Sequence, residues 1–339
     1  MLRWNPLLRT WTMVAANRQN RPNMPKDWCP FCPGSGKVPE QYDVFCYPND
    51  FPVLSRAVEA KVPNEIELPL YAEMPPHGQC DVILYSPDHH ASLYQLSHEH
   101  LLKLIHLWQE RHRLMEQSED IKYVFIFENR GEAVGVTMPH PHGQIYGYPF
   151  VPLKLKVELE SSQAYYSAHG RNLFEDMNRE EQADGRRMIH ENQSFLAYIP
   201  HFTDYPYGVF VVAKDPILLI TDFNEQQERD LADMLRAVTG GMDLLFEERF
   251  PYMMCMHQAP VNASEYGDLQ SYFRFHIEFY TPWRAKGVIK YYASSESGAW
   301  AAANTRQVED TAPELRAAVT RFLEAHTNQT SSSHEKSSS

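Results

Sequence analysis

No stretch of this 339-residue chain approaches the roughly 18 consecutive apolar residues of a membrane span, and Met1-Leu2-Arg3-Trp4-Asn5-Pro6 offers no apolar run of signal-peptide length. The expectation is a cytoplasmic protein with no membrane partner. Positive charge is also short, since 31 Lys and Arg against 44 Asp and Glu leave a net charge of −13. Proteins that hold a nucleic-acid backbone present a basic surface to neutralise phosphates, so nucleic acid is not expected as a partner. Small anionic substrates stay open, because local arginines can outweigh a global sign. Cysteine is scarce: Cys29, Cys32, Cys46, Cys80 and Cys255 are odd in number and mostly scattered, which excludes a disulfide framework. What the chain does have is 43% hydrophobic residues, enough at this length to bury a substantial core.

Residues 1–55 are rich in Pro, Asn and Trp and read as short strands and ordered loops. Asp81-Val82-Ile83-Leu84-Tyr85 reads as a strand ended by the turn Ser86-Pro87-Asp88. From residue 97 to about 113, Leu101, Leu104, Ile105, Leu107, Trp108 and Leu114 follow a helical period. Tyr123-Val124-Phe125-Ile126-Phe127 reads as a buried strand, and a histidine-rich segment follows. The same order recurs: a strand over Gly208-Val209-Phe210-Val211-Val212, a helix from Asn224 to about Asp243, Tyr252 to His257, then Tyr272 to Tyr280. This repeat predicts two tandem halves, 1–170 and 171–326, with His140 and His142 of the first opposite His276 and Glu278 of the second. Thr311-Ala312-Pro313-Glu314 opens a helix to about Ala325, and the Ser-rich tail 327–339 is expected to be disordered.

His140-Pro141-His142-Gly143-Gln144 is the most informative segment, because two histidines two apart on an extended chain project to the same side. Pro141 restricts His140 to extended geometry, and Gly143 permits close backbone approach to a ligand. A neutral imidazole is a competent nucleophile toward phosphorus near pH 7, and Gln144 offers a hydrogen bond to a phosphoryl oxygen as charge builds there. Ahead of it, Asn129-Arg130-Gly131 and Gly135-Val136-Thr137 form a glycine-bearing loop with donors suited to phosphate oxygens. An isolated His-x-His can equally be a structural metal pair.

Cys29-Pro30-Phe31-Cys32 has metal-knuckle spacing, but tetrahedral zinc needs two further ligands and no second Cys-x-x-Cys follows. His89 and His140 would complete a Cys₂His₂ set, with His90 competing for the place of His89. A redox pair or two core cysteines are the other readings. Glu158, His257, His276 and Glu278 form a candidate second cluster, since His276 and Glu278 share one strand face. Hydrogen-bonded core histidines would look the same, and Glu160 is an alternative to Glu158. Arg18 and Arg21 suit a diphosphate, as they would a solvated turn. Asn49-Asp50-Phe51 offers an amide and a carboxylate beside an aromatic ring, as a base or ribose pocket needs.

Taken in order, Arg3-Trp4-Asn5-Pro6-Leu7, Cys29-Pro30-Phe31-Cys32, Asn49-Asp50-Phe51, Ser86-Pro87-Asp88-His89, Phe127-Glu128-Asn129-Arg130-Gly131 and His140-Pro141-His142-Gly143-Gln144 resemble the galactose-1-phosphate uridylyltransferase family, a branch of the histidine-triad superfamily. The resemblance spans roughly residues 3–325. It implies an α+β fold in which tandem histidine-triad-like halves form one antiparallel-sheet domain with flanking helices. It implies a ping-pong reaction of galactose metabolism: UDP-glucose gives its uridylyl group to His142, and galactose 1-phosphate takes it up as UDP-galactose. Gln144 would hold the phosphoryl oxygens, and Arg18, Arg21, Asn49, Asp50, Asn129 and Thr137 would surround the nucleotide. The family's Lys and Glu near the hexose phosphate carry over to Lys290 and Glu296. Zinc is implied at Cys29, Cys32, His89 and His140, and a second metal, zinc or iron, at Glu158, His257, His276 and Glu278. The family is usually a homodimer with active sites near the subunit interface.

Two departures stand out. The best-known members carry His where this chain has Glu278, and the segment after Glu296 lacks an obvious glutamine that some members contribute across the dimer. Glu278 is also expected to be the second half's counterpart of His142, leaving one nucleophile per chain. The alternatives are a nucleotidyltransferase or phosphorylase with an adenylyl donor, and a sugar-nucleotide-binding protein without turnover.

Overall fold

Short β-branched and aromatic runs broken by turn residues dominate the first part of the chain, and they fold as strands. In the computed structural model, which describes residues 1–15, 28–56 and 70–336, these are β1 (Leu2–Asn5), β2 (Thr10–Met13), β3 (Phe45–Pro48), β4 (Glu73–Met74) and β5 (Gln79–Leu84). Helix α1 (His98–Glu116), β6 (Tyr123–Arg130) and β7 (His142–Tyr148) follow, then α2 (Leu153–His169) and α3 (Leu173–Asp184). The second part runs β8 (Met188–Glu191), β9 (Phe195–Tyr198), β10 (Val209–Ala213), α4 (Glu225–Phe246), β11 (Tyr252–His257), α5 (Leu269–Tyr272) and β12 (His276–Tyr280). It closes with β13 (Trp283–Ala285), β14 (Val288–Ile289), α6 (Ser294–Ala299) and α7 (Val308–Lys336). Ser97 and Asn224 cap α1 and α4, each side chain accepting from a backbone N–H of the first turn.

Nine strands form one sheet in the order β3-β5-β7-β6-β11-β12-β10-β9-β8. All its pairings are antiparallel. The seam is β6 against β11, and from it the strand order repeats outward, β6-β7-β5-β3 on one side and β11-β12-β10-β9 on the other. The expected α+β fold of two tandem halves in a single antiparallel sheet is therefore present. Arg130 of β6 fixes the seam from within, donating to both carboxylate oxygens of Asp243 on α4 at 2.5 and 2.7 Å.

The pairing of the halves differs from the expected one. His142 opens β7 and His276 opens β12, and each ring Nδ1 sits on the carbonyl two residues earlier, 2.7 Å from His140 and 2.9 Å from Arg274. Two residues further on stand Gln144 and Glu278, and the hydroxyls of Tyr146 and Tyr280 donate to them. His142 therefore answers His276, and Glu278 answers Gln144 rather than His142. A two-residue slip leaves every side chain on the same sheet face, so the face pattern in the sequence could not distinguish the two registers.

Helices α1, α4 and α7 cover one face of the sheet over a core that includes Ile83, Leu104, Ile126, Ile145, Leu235 and Ile277. Gly240 and Gly241 of α4 leave the room that Phe322 and Val319 of α7 fill. α7 begins a turn earlier than the Thr311 capping box, with buried Thr311 bonded to the Val308 carbonyl, and runs to Lys336 rather than ending near Ala325. No Gly or Pro after Pro313 interrupts it. α2 and α3 were not expected. α2 packs on both halves, with Leu159 against Phe174, Leu196 and Val212 and Leu155 against Tyr123, Tyr146 and Tyr148. Residues 269–272, ahead of β12, form the short α5 where a strand from Tyr272 was expected. Among the described residues no helix is long and apolar enough to cross a membrane.

Candidate active site

The period of two along β5, β6 and β7 turns Val82, Phe127, Asn129, His142, Gln144 and Tyr146 toward the face away from α1 and α4. There they line a cavity of about 380 Å³ with Phe31, Tyr47, Asn49, Asp50, Phe51 and Met138. His142 Nδ1 lies 2.7 Å from the His140 carbonyl. A carbonyl only accepts, so this contact places the proton on Nδ1 and the lone pair on Nε2. Beside it, the Tyr146 hydroxyl donates to Gln144 Oε1 at 2.9 Å. That bond fixes the amide orientation and frees its NH₂ to donate to an anionic oxygen. Tyr146→Phe should lower kcat about 3- to 10-fold with little change in KM, the value of one neutral hydrogen bond, measured by steady-state kinetics.

Gly143 serves a different purpose from close approach to a ligand. A Cβ there would lie 2.1 Å from the Tyr85 hydroxyl and 2.9 Å from the Phe127 carbonyl, on the helix-covered side of β7. Gly143→Ala should cost about 1–3 kcal/mol of stability, read as a lower urea midpoint, and should displace the neighbouring His142.

Cys29, Cys32, His89 and His140 present ligand atoms that all lie within 4.8 Å of one another. Cys32 Sγ is 3.4 Å from His89 Nδ1 and 3.7 Å from His140 Nδ1. Tetrahedral zinc with ordinary bond lengths separates sulfur and nitrogen ligands by about 3.5 Å, so the set fits such an ion. His140 Nε2 points the other way, 2.8 Å from the Ser86 carbonyl and 3.2 Å from the Tyr42 hydroxyl, which orients the ring for ligation through Nδ1. Burial holds His140 neutral, its pKa down at about 4, and pushes the Cys29 thiol up to about 11. His90 is outside the group; His89 is the ligand candidate. Four protein donors leave no open position, which marks a structural site. Phe31, between the two cysteines, packs on both His140 and His142, with ring centroids 5.9 and 5.7 Å apart. The loop between the two cysteines thus braces His142.

Asn49, Asp50 and Asn129 join His142 and Gln144 in the cavity, with the Asp50 carboxylate accepting from Tyr47. Thr137 is exposed and is not among the residues that line it. Arg18 and Arg21 fall outside the described residues. Lys290 and Glu296 do not line the cavity either; Lys290 is buried, its ammonium 4.5 Å from the Tyr292 ring centroid. The reading from sequence missed Tyr47, Tyr146 and Phe31 as parts of this site.

Glu158, His257, His276 and Glu278 also converge, each offering a ligand atom within 4.8 Å of the others. They sit in the second half, where a cavity of about 360 Å³ is lined by Lys154, Glu158, Phe174, Phe210, His276 and Glu278. Glu158 accepts from His257 Nδ1 at 2.8 Å, and His276 Nε2 is 3.6 Å from Glu278 Oε1. Both acids are held below the usual carboxylate range: burial opposes this, and the imidazoles of His257 and His276, with Lys154 at Glu278, outweigh it.

Two tandem halves in one antiparallel sheet, with an imidazole beside an amide donor in a cavity, are the arrangement of a transferase site of the nucleotidyltransferase class. Residues 1–152 match the N-terminal domain, and residues 158–328 the C-terminal domain, of the family described as galactose-1-phosphate uridyl transferase. The chain belongs to the galactose-1-phosphate uridylyltransferase family. It is 35% identical over 316 residues to galactose-1-phosphate uridylyltransferase of Thermotoga maritima, covering 93% of this chain and 97% of that protein. With that of Saccharomyces cerevisiae it shares 32% over 311 residues, 83% of this chain and 84% of that one. A solved uridylyltransferase superposes with a TM-score of 0.84 at 28% identity, covering 95% of this chain and 99% of that one. An ADP-glucose phosphorylase from Arabidopsis thaliana, at 20% identity and TM-score 0.72 over 93% of this chain and 98% of its own, shares the fold.

Proposed function

We propose that the chain exchanges a uridylyl group between UDP-glucose and galactose 1-phosphate through a covalent bond to His142. The observation that carries this is the contact of His142 Nδ1 with the His140 carbonyl, which holds the ring as the Nε2-nucleophilic tautomer inside the cavity. Nε2 attacks the α-phosphorus of UDP-glucose, and the bond to the β-phosphate oxygen breaks. Glucose 1-phosphate leaves with that electron pair. The positive charge that develops on the imidazole is stabilised through Nδ1–H by the carbonyl, and the Gln144 amide donates to the phosphoryl oxygens. A phosphate oxygen of galactose 1-phosphate then attacks the same phosphorus, the N–P bond breaks, and UDP-galactose leaves with His142 restored.

Asn49, Asp50 and Asn129 hold the nucleotide, Asp50 as an acceptor for a ribose hydroxyl, and Arg18, Arg21 and Thr137 complete its surroundings. Zinc held by Cys29, Cys32, His89 and His140 fixes the loop that carries Phe31. Lys290 and Glu296 serve the hexose phosphate, and the chain acts as a cytoplasmic homodimer. The test is isotope exchange between labelled glucose 1-phosphate and UDP-glucose with no galactose 1-phosphate present. A covalent route gives exchange, and its absence would make the route wrong. ADP-glucose should support none; exchange with it instead would favour an adenylyl donor.

A further inference from the structure

The cluster of Glu158, His257, His276 and Glu278 differs from an ordinary metal site in that a cation already sits in it. Lys154, one turn ahead of Glu158 on α2, places Nζ 2.5 Å from Glu278 Oε2 and 2.5 Å from the Tyr280 hydroxyl. The same ammonium is 3.7 Å from Glu158 Oε1 and 4.6 Å from the Tyr280 ring centroid. Tyr280 donates to Glu278 as well, so one carboxylate oxygen accepts from both an ammonium and a phenol. Glu158 Oε2 is engaged by His257 Nδ1, and His276 Nδ1 by the Arg274 carbonyl.

A divalent ion binds a carboxylate oxygen at about 2.0–2.2 Å, so an ion on Glu278 would lie within about 5 Å of the ammonium and compete with it for the same lone pairs. Buried Glu278 and half-buried Glu158 have their countercharge without it. Glutamate at 278 is what permits this, since histidine at that position would offer the lysine a neutral ring in place of an anion. The donor set with Lys154 in place therefore does not suit a metal.

We propose that the second cluster closes without a metal ion, with the Lys154 ammonium supplying the positive charge between Glu158 and Glu278. The second half then keeps the strand frame of the first, with His276 placed as His142 is, but carries an internal ion network where the first carries a nucleophile. This goes beyond the uridylyl reading and does not depend on it.

The test is metal content per chain by inductively coupled plasma mass spectrometry, on full-length protein expressed with added zinc and iron. The unsubstituted chain should hold about one equivalent, Cys32→Ser should hold close to none, and His257→Ala should stay at one. Lys154→Met, at a side chain more than half exposed, should rise toward two as the four donors become available. If His257→Ala does not fold, Glu158→Gln reads the same point. Two equivalents in the unsubstituted chain, with one lost in His257→Ala or Glu158→Gln, would overturn the proposal. So would a Cys32→Ser chain that keeps one, or a Lys154→Met chain that stays at one. Labelling of His142 by UDP-glucose is read separately on the same samples, which keeps a failure here distinct from a failure of the uridylyl reading.

Discussion

His142→Ala loses about 10⁴- to 10⁶-fold in kcat/KM for uridylyl exchange, the scale expected when a covalent nucleophile is removed from an otherwise intact site. No other side chain in the cavity can take its place. Asn49, Asn129 and Gln144 are amides, Asp50 is engaged by Tyr47, and His140 is turned away with Nδ1 toward Cys32 and Nε2 on the Ser86 carbonyl. The fold should tolerate the change, because His142 is only partly buried and lies on the cavity side of β7. The check is a pair of measurements on one sample, steady-state turnover and the thermal midpoint. Normal turnover, or a midpoint that falls as far as the activity does, contradicts the assignment.

If zinc is held by Cys29, Cys32, His89 and His140 as proposed, its removal should have the second-largest effect. Structural zinc sites contribute about 10 kcal/mol or more of binding free energy that is also folding free energy, and here a bound ion would fix the loop bearing Phe31 against His142. Chelation, or Cys32→Ser, should lower both the thermal midpoint and turnover, turnover by at least about 100-fold. The pH dependence has a definite sign. In the metal-free chain burial keeps the Cys29 thiol protonated, its pKa up at about 11, so zinc binding expels protons and weakens as pH falls, by about tenfold per unit for each proton released. His140, down at about 4 when folded against about 6.5 unfolded, adds to this. Between those values the unfolded chain binds the extra proton, so this contribution to stability is whole above about pH 6.5 and is lost as pH falls toward 4. Zinc content and thermal midpoint followed from pH 8 to 4 should decline together; retention of zinc at pH 4 with an unchanged midpoint would refute the ligand set.

The elements that declare themselves locally were legible in the sequence: α1 and α4 behind their Ser97 and Asn224 caps, the buried strands, and the histidine segment at the start of β7. α2 was not. Leu153-Lys154-Leu155-Lys156-Val157-Glu158-Leu159-Glu160 alternates like a strand, yet it folds as a helix whose Lys–Glu pairs fall four apart and whose Leu155 and Leu159 alone in that stretch are buried. Missing α2 hid Lys154, and with it the cation beside Glu278. His89 against His90 could not be decided by spacing, since adjacent residues after a strand are equally close in sequence and only the loop's turn selects one. Tyr47 and Tyr146 gave no signal because a tyrosine in a strand usually means core. Their roles appear only once Asp50 and Gln144 are seen accepting from their hydroxyls.

The most direct measurement is incubation with UDP-glucose labelled at the α-phosphate, alkaline quenching, which preserves a phosphorus–histidine bond, and peptide mapping. The label is expected on the peptide containing His142, in about one equivalent per chain if the nucleophile is single, and it should leave when galactose 1-phosphate is added. Label on His276, on another residue, or on none would contradict the account.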